Sequence, residues 1–466
     1  MGLFTFEEIR QVCGGTFNRE ANLNTMVDEV VTDTRQPMRQ ALFIALSGER
    51  FDAHDYLDDA VRGGAALLCV DKDKADKIPA GATALLVDSP LTAYLALAGF
   101  HRSRFPKLKL AAITGSCGKT STKEILRSIF AHAAGPEHVL ATAGNTNNQI
   151  GVPQNLLRLN PGHEYAVIEM GTNHHGEIEP LAKIARPQTS LIVSIGCCHL
   201  EFFHDLNGVA TEKSHIFLPD SVRAAVYPKQ CGGHDILVKA AAHVPEKYTF
   251  GETPDASVQV IYHGGNLNGS SFELIESAAG KKVRVDWNLT GRHQAVNAAG
   301  AAAAALAFGI PLETIAEAIR QVKLPGLRMK KTRHGSALWI NDAYNANPDS
   351  MCAALGWLAE FASPEHLLLV LGDMGELGGD TLKGHMRVLS FSWDNLPGAR
   401  IAAVGPKMTE ALAVLSLTGK RSATAFPSAQ EAVDGVRAMV KADDLVFLKG
   451  SRSTGLEVIE PEEHPE

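Results

Sequence analysis

The chain has no apolar run approaching the roughly 20 residues that a bilayer crossing demands, and no basic leader followed by an apolar stretch. It therefore reads as a cytoplasmic protein without a membrane span. Seven cysteines, Cys13, Cys69, Cys117, Cys197, Cys198, Cys231 and Cys352, include no C-x-x-C pair, so neither a zinc ribbon nor a disulfide framework is indicated. Basic clusters are missing as well. With 44 Lys and Arg against 52 Asp and Glu, the formal charge is −8, which excludes a general nucleic-acid surface. Acidic substrates must be met by local groups. No internal repeat is present.

What is present is length and alternation. At roughly 150 residues per domain, 466 residues predict about three domains, each able to bury a core. Strands are expected at 42–46 and 66–70, a polar loop at 48–55 and helices at 56–62 and 91–101. A buried strand at 108–114 enters a glycine turn and leads to a helix at 121–134; further buried parallel strands are expected at 165–170 and 189–195. The stretch 294–308 is mostly alanine and reads as a closely packed helix. Pro325 and Gly326 break the pattern, and strands at 337–340, 367–371, 401–404 and 445–448 imply a third α/β unit. The acidic tail 457–466 is expected to fray. The predicted domains are 1–88, 89–325 and 326–466.

The segment Gly115-Ser116-Cys117-Gly118-Lys119-Thr120 lies between a predicted strand and a predicted helix, the context of a phosphate cradle. Glycines let backbone N–H groups face an anion, the helix start adds positive potential, Lys119 neutralises outer phosphates, and the Thr120 hydroxyl can ligate Mg²⁺. The eight-residue phosphate-loop pattern has glycine where Ile113 stands, so this is a shortened form. Glu169, at the end of an apolar strand, is either a solvated carboxylate or a Mg²⁺ ligand facing the crevice. His199, Glu201 and Lys213 follow another strand, and none carries a role taken singly.

Together with these segments, Gly144 to Asn148, Glu169 to His174, Gly291 to His293, Asp342 to Ser350, Leu371 to Met374 and Lys449 to Arg452 make the chain resemble the Mur ligase superfamily over nearly its whole length. Within it, the Tyr344 to Ser350 run resembles the branch that adds D-alanyl-D-alanine to UDP-N-acetylmuramoyl-tripeptide in peptidoglycan precursor synthesis. The resemblance implies a small mixed α/β domain for the UDP-substrate, a central P-loop α/β domain with a mostly parallel sheet, and a Rossmann-like α/β ligase domain. It implies ATP and two Mg²⁺ ions, with Thr120 and Glu169 on one ion and His199 and a carbamylated Lys213 on the other. Asn297 would lie near adenine, Asp342 near the ribose, Tyr344 beside the nucleotide and Arg328 on the phosphates. Thr34 and Arg35 would meet the UDP part, and Asn145, Thr146, Asn147 and Asn148 the substrate. A monomer is expected.

The chain departs from the family pattern at several places. Cys197-Cys198 stands where relatives have Pro-Ala, His215 where they have glutamate, Ala53 for glycine, Ala343 for serine and Thr34 for serine. Rival readings are another Mur-type or folylpolyglutamate-type amide ligase, and a nucleotide-dependent switch that does not ligate.

Overall fold

The computed structural model of the protein describes residues 2–48, 51–323, 329–417 and 423–462. Three sheets organise the chain, and among the described residues no strand pairs across from one to another. The first has five strands in the order Thr16–Phe17, Ala84–Val87, Ala65–Asp71, Ala41–Ile44, Glu29–Val31. All its pairings are parallel except that of the Thr16–Phe17 edge. Leu42, Ile44, Leu67 and Cys69 project onto Phe4 of the short strand Phe4–Thr5 and onto Phe6 and Ile9 of the helix Phe6–Cys13, whose start is closed by the Thr5–Glu8 capping box. Tyr94 and Leu97 of the helix Pro90–Ser103 complete that core, while Ala98 of the same helix packs into the central unit. This helix is shared between the two units.

The central sheet has nine strands: Val139–Ala141, Tyr165–Glu169, Lys109–Thr114, Thr189–Ile192, Ala224–Pro228, Glu246–Gly251, Val258–Asn266, Gly269–Glu276 and Lys281–Trp287. The pairings are parallel up to Val258–Asn266, and the last two strands extend the sheet as an antiparallel meander. In Lys109–Thr114, Ala111 and Ile113 face one core and Leu110 and Ala112 the other, which is why the run from Leu110 to Ile113 is apolar throughout rather than at alternate positions. The alanine-rich helix Arg292–Leu306 lies on the first of these faces, where small side chains let it approach the helix Lys119–Ala134 closely.

The third sheet runs Lys330–His334, Ala337–Asn341, Leu445–Lys449, Leu367–Gly372, Arg400–Val404, Thr424–Phe426, antiparallel only at its first pair. Two expectations are corrected. The stretch 48–55 carries a short hairpin, Ser47–Gly48 with Phe51–Asp52, and a 3-10 turn. The tail does not fray where it is described: Leu456 and Ile459 are fully buried against the third sheet, and Glu460 accepts from Asn341 Nδ2 at 2.8 Å. Pro325, Gly326 and Arg328 lie outside the described residues. Among the described residues no helix is long and apolar enough to cross a membrane.

Candidate active site

The strand Lys109–Thr114 ends at the carboxyl edge of the central sheet, and after four intervening residues the helix Lys119–Ala134 starts with no side-chain cap on its first N–H groups. Gly118 has φ +79°, and a Cβ there would fall 2.5 Å from Asn297 Oδ1, so both conformation and close approach require glycine. The turn is held from the next strand end: Ser116 N donates to Ser194 O and Cys117 N to Ser194 Oγ, each at 2.9 Å. Ser116 Oγ accepts from Gly196 N at 2.9 Å and donates to its carbonyl at 3.1 Å. Lys119 Nζ folds back onto Gly115 O at 2.8 Å. A rigid turn, an open helix start and a lysine over both form an anion site.

Glu169 closes the neighbouring strand, in register with Ile113, and is 1% exposed. Its Oε1 accepts from Asn147 Nδ2 at 2.8 Å and from the Thr120 hydroxyl at 3.4 Å, whereas its buried Oε2 has no hydrogen-bond partner among the described residues. An orphaned buried carboxylate oxygen is costly unless a cation or water meets it. Of the four residues 145–148, Asn147 reaches the site. Asn148 Oδ1 accepts from Ile150 N and Gly151 N, Thr146 is held by Asn155, and Asn145 Oδ1 accepts from Asn147 at 3.3 Å. No group of three His, Cys, Asp or Glu side chains among the described residues forms a ready metal cage. Any ion here would complete its shell from hydroxyl, phosphate and water, as Mg²⁺ does.

Lys213, in the helix Leu206–Ser214, is 1% exposed. Burial pulls its ammonium down to about 8; Lys119 adds to this, and Cys198 and Glu212 oppose it. The adjacent Glu212 was not singled out from the sequence, yet it ties this helix in place. Its carboxylate accepts from the backbone N–H groups of Gly176, Glu177 and Ile178 at 2.8, 3.0 and 3.0 Å. Burial raises its pKa, but His215 and these donors bring it down to about 2. His199 is not gathered onto Glu169. Its Nδ1 lies 2.5 Å from Glu376 Oε2 of the third unit, an ion-pair distance without the alignment of a ring hydrogen bond.

The Tyr344 to Ser350 run supplies contacts that the sequence did not reveal. Asn347 caps the helix Pro348–Ala359, and its Nδ2 donates to Cys117 Sγ of the phosphate loop at 3.0 Å. Asp349 accepts from Cys197 N at 2.9 Å and from Arg387 Nη1 at 2.8 Å. Tyr344 is half-buried in the turn after the strand Ala337–Asn341. Asp342 pairs with the buried Lys449 and faces His293, whose imidazole is driven down to about 4 by burial. Asn297 lies beneath Gly118. Thr34 and Arg35 are not brought to the phosphate loop; they sit in a loop of the first unit, where Arg35 is exposed and pairs with Asp33 at 2.6 Å. Between the first and central units a cavity of about 240 Å³ is lined by Leu46, Ser47, Leu91, Asn148, Ile150 and Glu177.

A model of the Mur ligase middle domain matches residues 113–305, and one of the Mur ligase glutamate ligase domain matches 327–452. The UDP-N-acetylmuramoyl-tripeptide--D-alanyl-D-alanine ligase of Escherichia coli strain K12 is 34% identical, over 93% of both chains. A crystal structure of MurF from Acinetobacter baumannii superposes with a TM-score of 0.89 at 32% identity, covering 98% of this chain and 97% of that one. MurF ligase from Thermotoga maritima, solved in complex with ADP, has the same fold, with a TM-score of 0.78 at 23% identity over 92% of this chain and 96% of its own.

Proposed function

The chain belongs to the Mur ligase family, and on that premise we propose that it is an ADP-forming ligase joining D-alanyl-D-alanine to UDP-N-acetylmuramoyl-tripeptide, the last cytoplasmic peptide addition to the peptidoglycan precursor. The observation that carries the reading is the meeting, at the ends of one parallel sheet, of an anion-binding turn, a buried carboxylate with a free oxygen and a buried lysine. A nucleotide-dependent switch would need the turn and a carboxylate near its Mg²⁺ but not the second cluster of His199 and Lys213.

A carboxylate does not condense with an amine in water because oxide cannot leave. Transfer of the γ-phosphoryl group of ATP to the substrate carboxylate releases ADP and gives an acyl phosphate. The dipeptide amine then attacks its carbonyl, and inorganic phosphate departs as the amide forms. The first step asks chiefly for charge neutralisation. Lys119 and the amides of residues 115–118 bind the phosphates, and Arg328 joins them. Thr120 and Glu169 would hold one Mg²⁺, His199 and a carbamylated Lys213 a second. The orphaned Glu169 Oε2 fits the first ion. For the second, carbamylation replaces a desolvated cation with oxygens that the ion prefers. Mg²⁺ supplies neutralisation of phosphate charge.

Asn297, Asp342 and Tyr344 hold adenosine, Thr34 and Arg35 the UDP group, and residues 145–148 the peptidyl sugar. The domains divide at 88/89 and 325/326, a division favoured by the absence of strand pairing between the three sheets. The protein works as a cytoplasmic monomer. The test is an assay with UDP-N-acetylmuramoyl-tripeptide, D-alanyl-D-alanine and ATP, reading ADP and product mass. One ADP per pentapeptide product is expected. ADP release without that product, or product with a single amino acid or a pteroyl-glutamate substrate instead, overturns the reading.

A further inference from the structure

Glu376 stands out because it reaches from the third unit onto a residue of the central one. Its backbone has φ +60° in a non-glycine residue, its side chain is half exposed, and three hydrogen bonds hold the residues that lead into it. Ser451 N donates to Asp373 O, and Gly375 N to Ser451 Oγ, both at 2.8 Å; Met374 N donates to His385 Nε2 at 2.9 Å. Met374 and Leu377 on either side are buried. The carboxylate so presented lies 2.5 Å from His199 Nδ1. His199 itself has φ +52°. Two left-handed residues therefore face each other across the unit boundary, a geometry that the surroundings must impose.

We infer that Glu376 is a positioning residue that sets the His199 ring from the opposite unit, so that closure of the third unit and loading of the second cation become one event. The inference rests on the assignment of His199 as a ligand. A histidine that binds a metal through one nitrogen has the other engaged, often by a carboxylate that orients the ring and raises its basicity. With Glu376 at ion-pair distance from Nδ1, though not yet aligned with it as a ring hydrogen bond, Nε2 is the nitrogen left for the ion. Because the carboxylate belongs to another unit, an open form lacks it and binds the second ion weakly.

The test counts Mn²⁺ bound to the full-length protein by electron paramagnetic resonance. A non-hydrolysable ATP analogue and UDP-N-acetylmuramoyl-tripeptide are present, and wild type is compared with Glu376→Gln, Glu376→Asp and His199→Ala. Wild type is expected to bind two ions. Glu376→Gln should hold the first normally and the second about 10- to 100-fold more weakly. Its kcat should fall with the KM for ATP unchanged, and Glu376→Asp should recover part of both. A second-ion affinity equal to wild type in Glu376→Gln, with His199→Ala defective, overturns the role of Glu376 and leaves the metal assignment standing. Normal binding in His199→Ala overturns both.

Discussion

A lysine ammonium shut away from water loses its hydration and must be compensated, and Lys213 is compensated only in part: burial and Lys119 push against its charge while Cys198 and Glu212 support it. If its working form is the carbamate, Lys213→Ala loses phosphoryl transfer by about 100-fold or more, the scale of removing one transition-state charge stabiliser. Short carboxylates such as formate or acetate should restore part of it by filling the vacated space. Steady-state rates with and without added formate decide this, and an alanine variant of full activity contradicts it. Cys117 invites a second prediction. Burial raises its thiol above the usual range, with the Asn347 contact opposing. The reactive form is the thiolate, so alkylation by iodoacetamide should be slow at pH 7, rise through and beyond pH 9, and be suppressed by ATP. Peptide mapping gives the rate; one that is flat from pH 7 to 9, or unaffected by ATP, refutes it. The strand, turn and helix that carry Lys119 and Thr120 were legible in the sequence because they are contiguous, whereas Glu169, on another strand, stayed open there between a solvated and a ligating carboxylate. Glu212 and Glu376 were not legible, since their partners lie at 176–178 and 199 and no local pattern announces them.

At the scale of elements, Glu212 acts as a clamp between two helices, Leu206–Ser214 and Ile178–Ala185, filling the second helix's open donors with a charge. Its folded pKa of about 2 lies below the 4.5 of a glutamate in water. The stabilisation is therefore present above about pH 4.5 and is lost as pH falls toward 2; over the whole window it is worth about 3 kcal/mol. Glu212→Gln should speed hydrogen exchange at the amides of residues 176–178 at pH 7, and its melting temperature should fall less than that of wild type between pH 5 and 3. Equal acid sensitivity in the two proteins removes the clamp. The same scale explains which elements the sequence disclosed. Continuous apolar runs, such as Leu110 to Ile113 within the strand Lys109–Thr114, declare burial on both faces. The strands Val258–Asn266, Gly269–Glu276 and Lys281–Trp287 alternate buried with less buried positions over part of their length and were passed over. The tail was misjudged because its acidic residues outweighed Leu456 and Ile459, which are three apart and share one face of a 3-10 turn.

For the whole molecule the decisive feature is that the third unit meets the central one at the phosphate loop, through Asn347 on Cys117, and at the turn after the strand Thr189–Ile192, through Asp349 on Cys197 and Glu376 on His199. The Asp349 contact needs a backbone N–H at position 197, which proline, the residue of the family pattern, cannot supply. Nearby, Gly378 lies flat against the helix start at Glu201. A Cβ on Gly378 would fall 2.8 Å from Glu201 Cα and 3.1 Å from its nitrogen, which is backbone that cannot step aside. At φ +52°, alanine there costs the third unit about 1 to 2 kcal/mol of local strain, too little to unfold it. Gly378→Ala should therefore hold the units apart without dismantling either. In solution scattering with the ATP analogue and UDP-N-acetylmuramoyl-tripeptide, wild type should contract and the variant should stay near its ligand-free profile. The kcat should fall about 10-fold or more, because nucleophile and acyl phosphate are no longer held in contact. ATP binding should change little, since the turn and Lys119 belong to the central unit alone. A variant that contracts and turns over like wild type would mean that the observed contact between Gly378 and Glu201 has no part in catalysis.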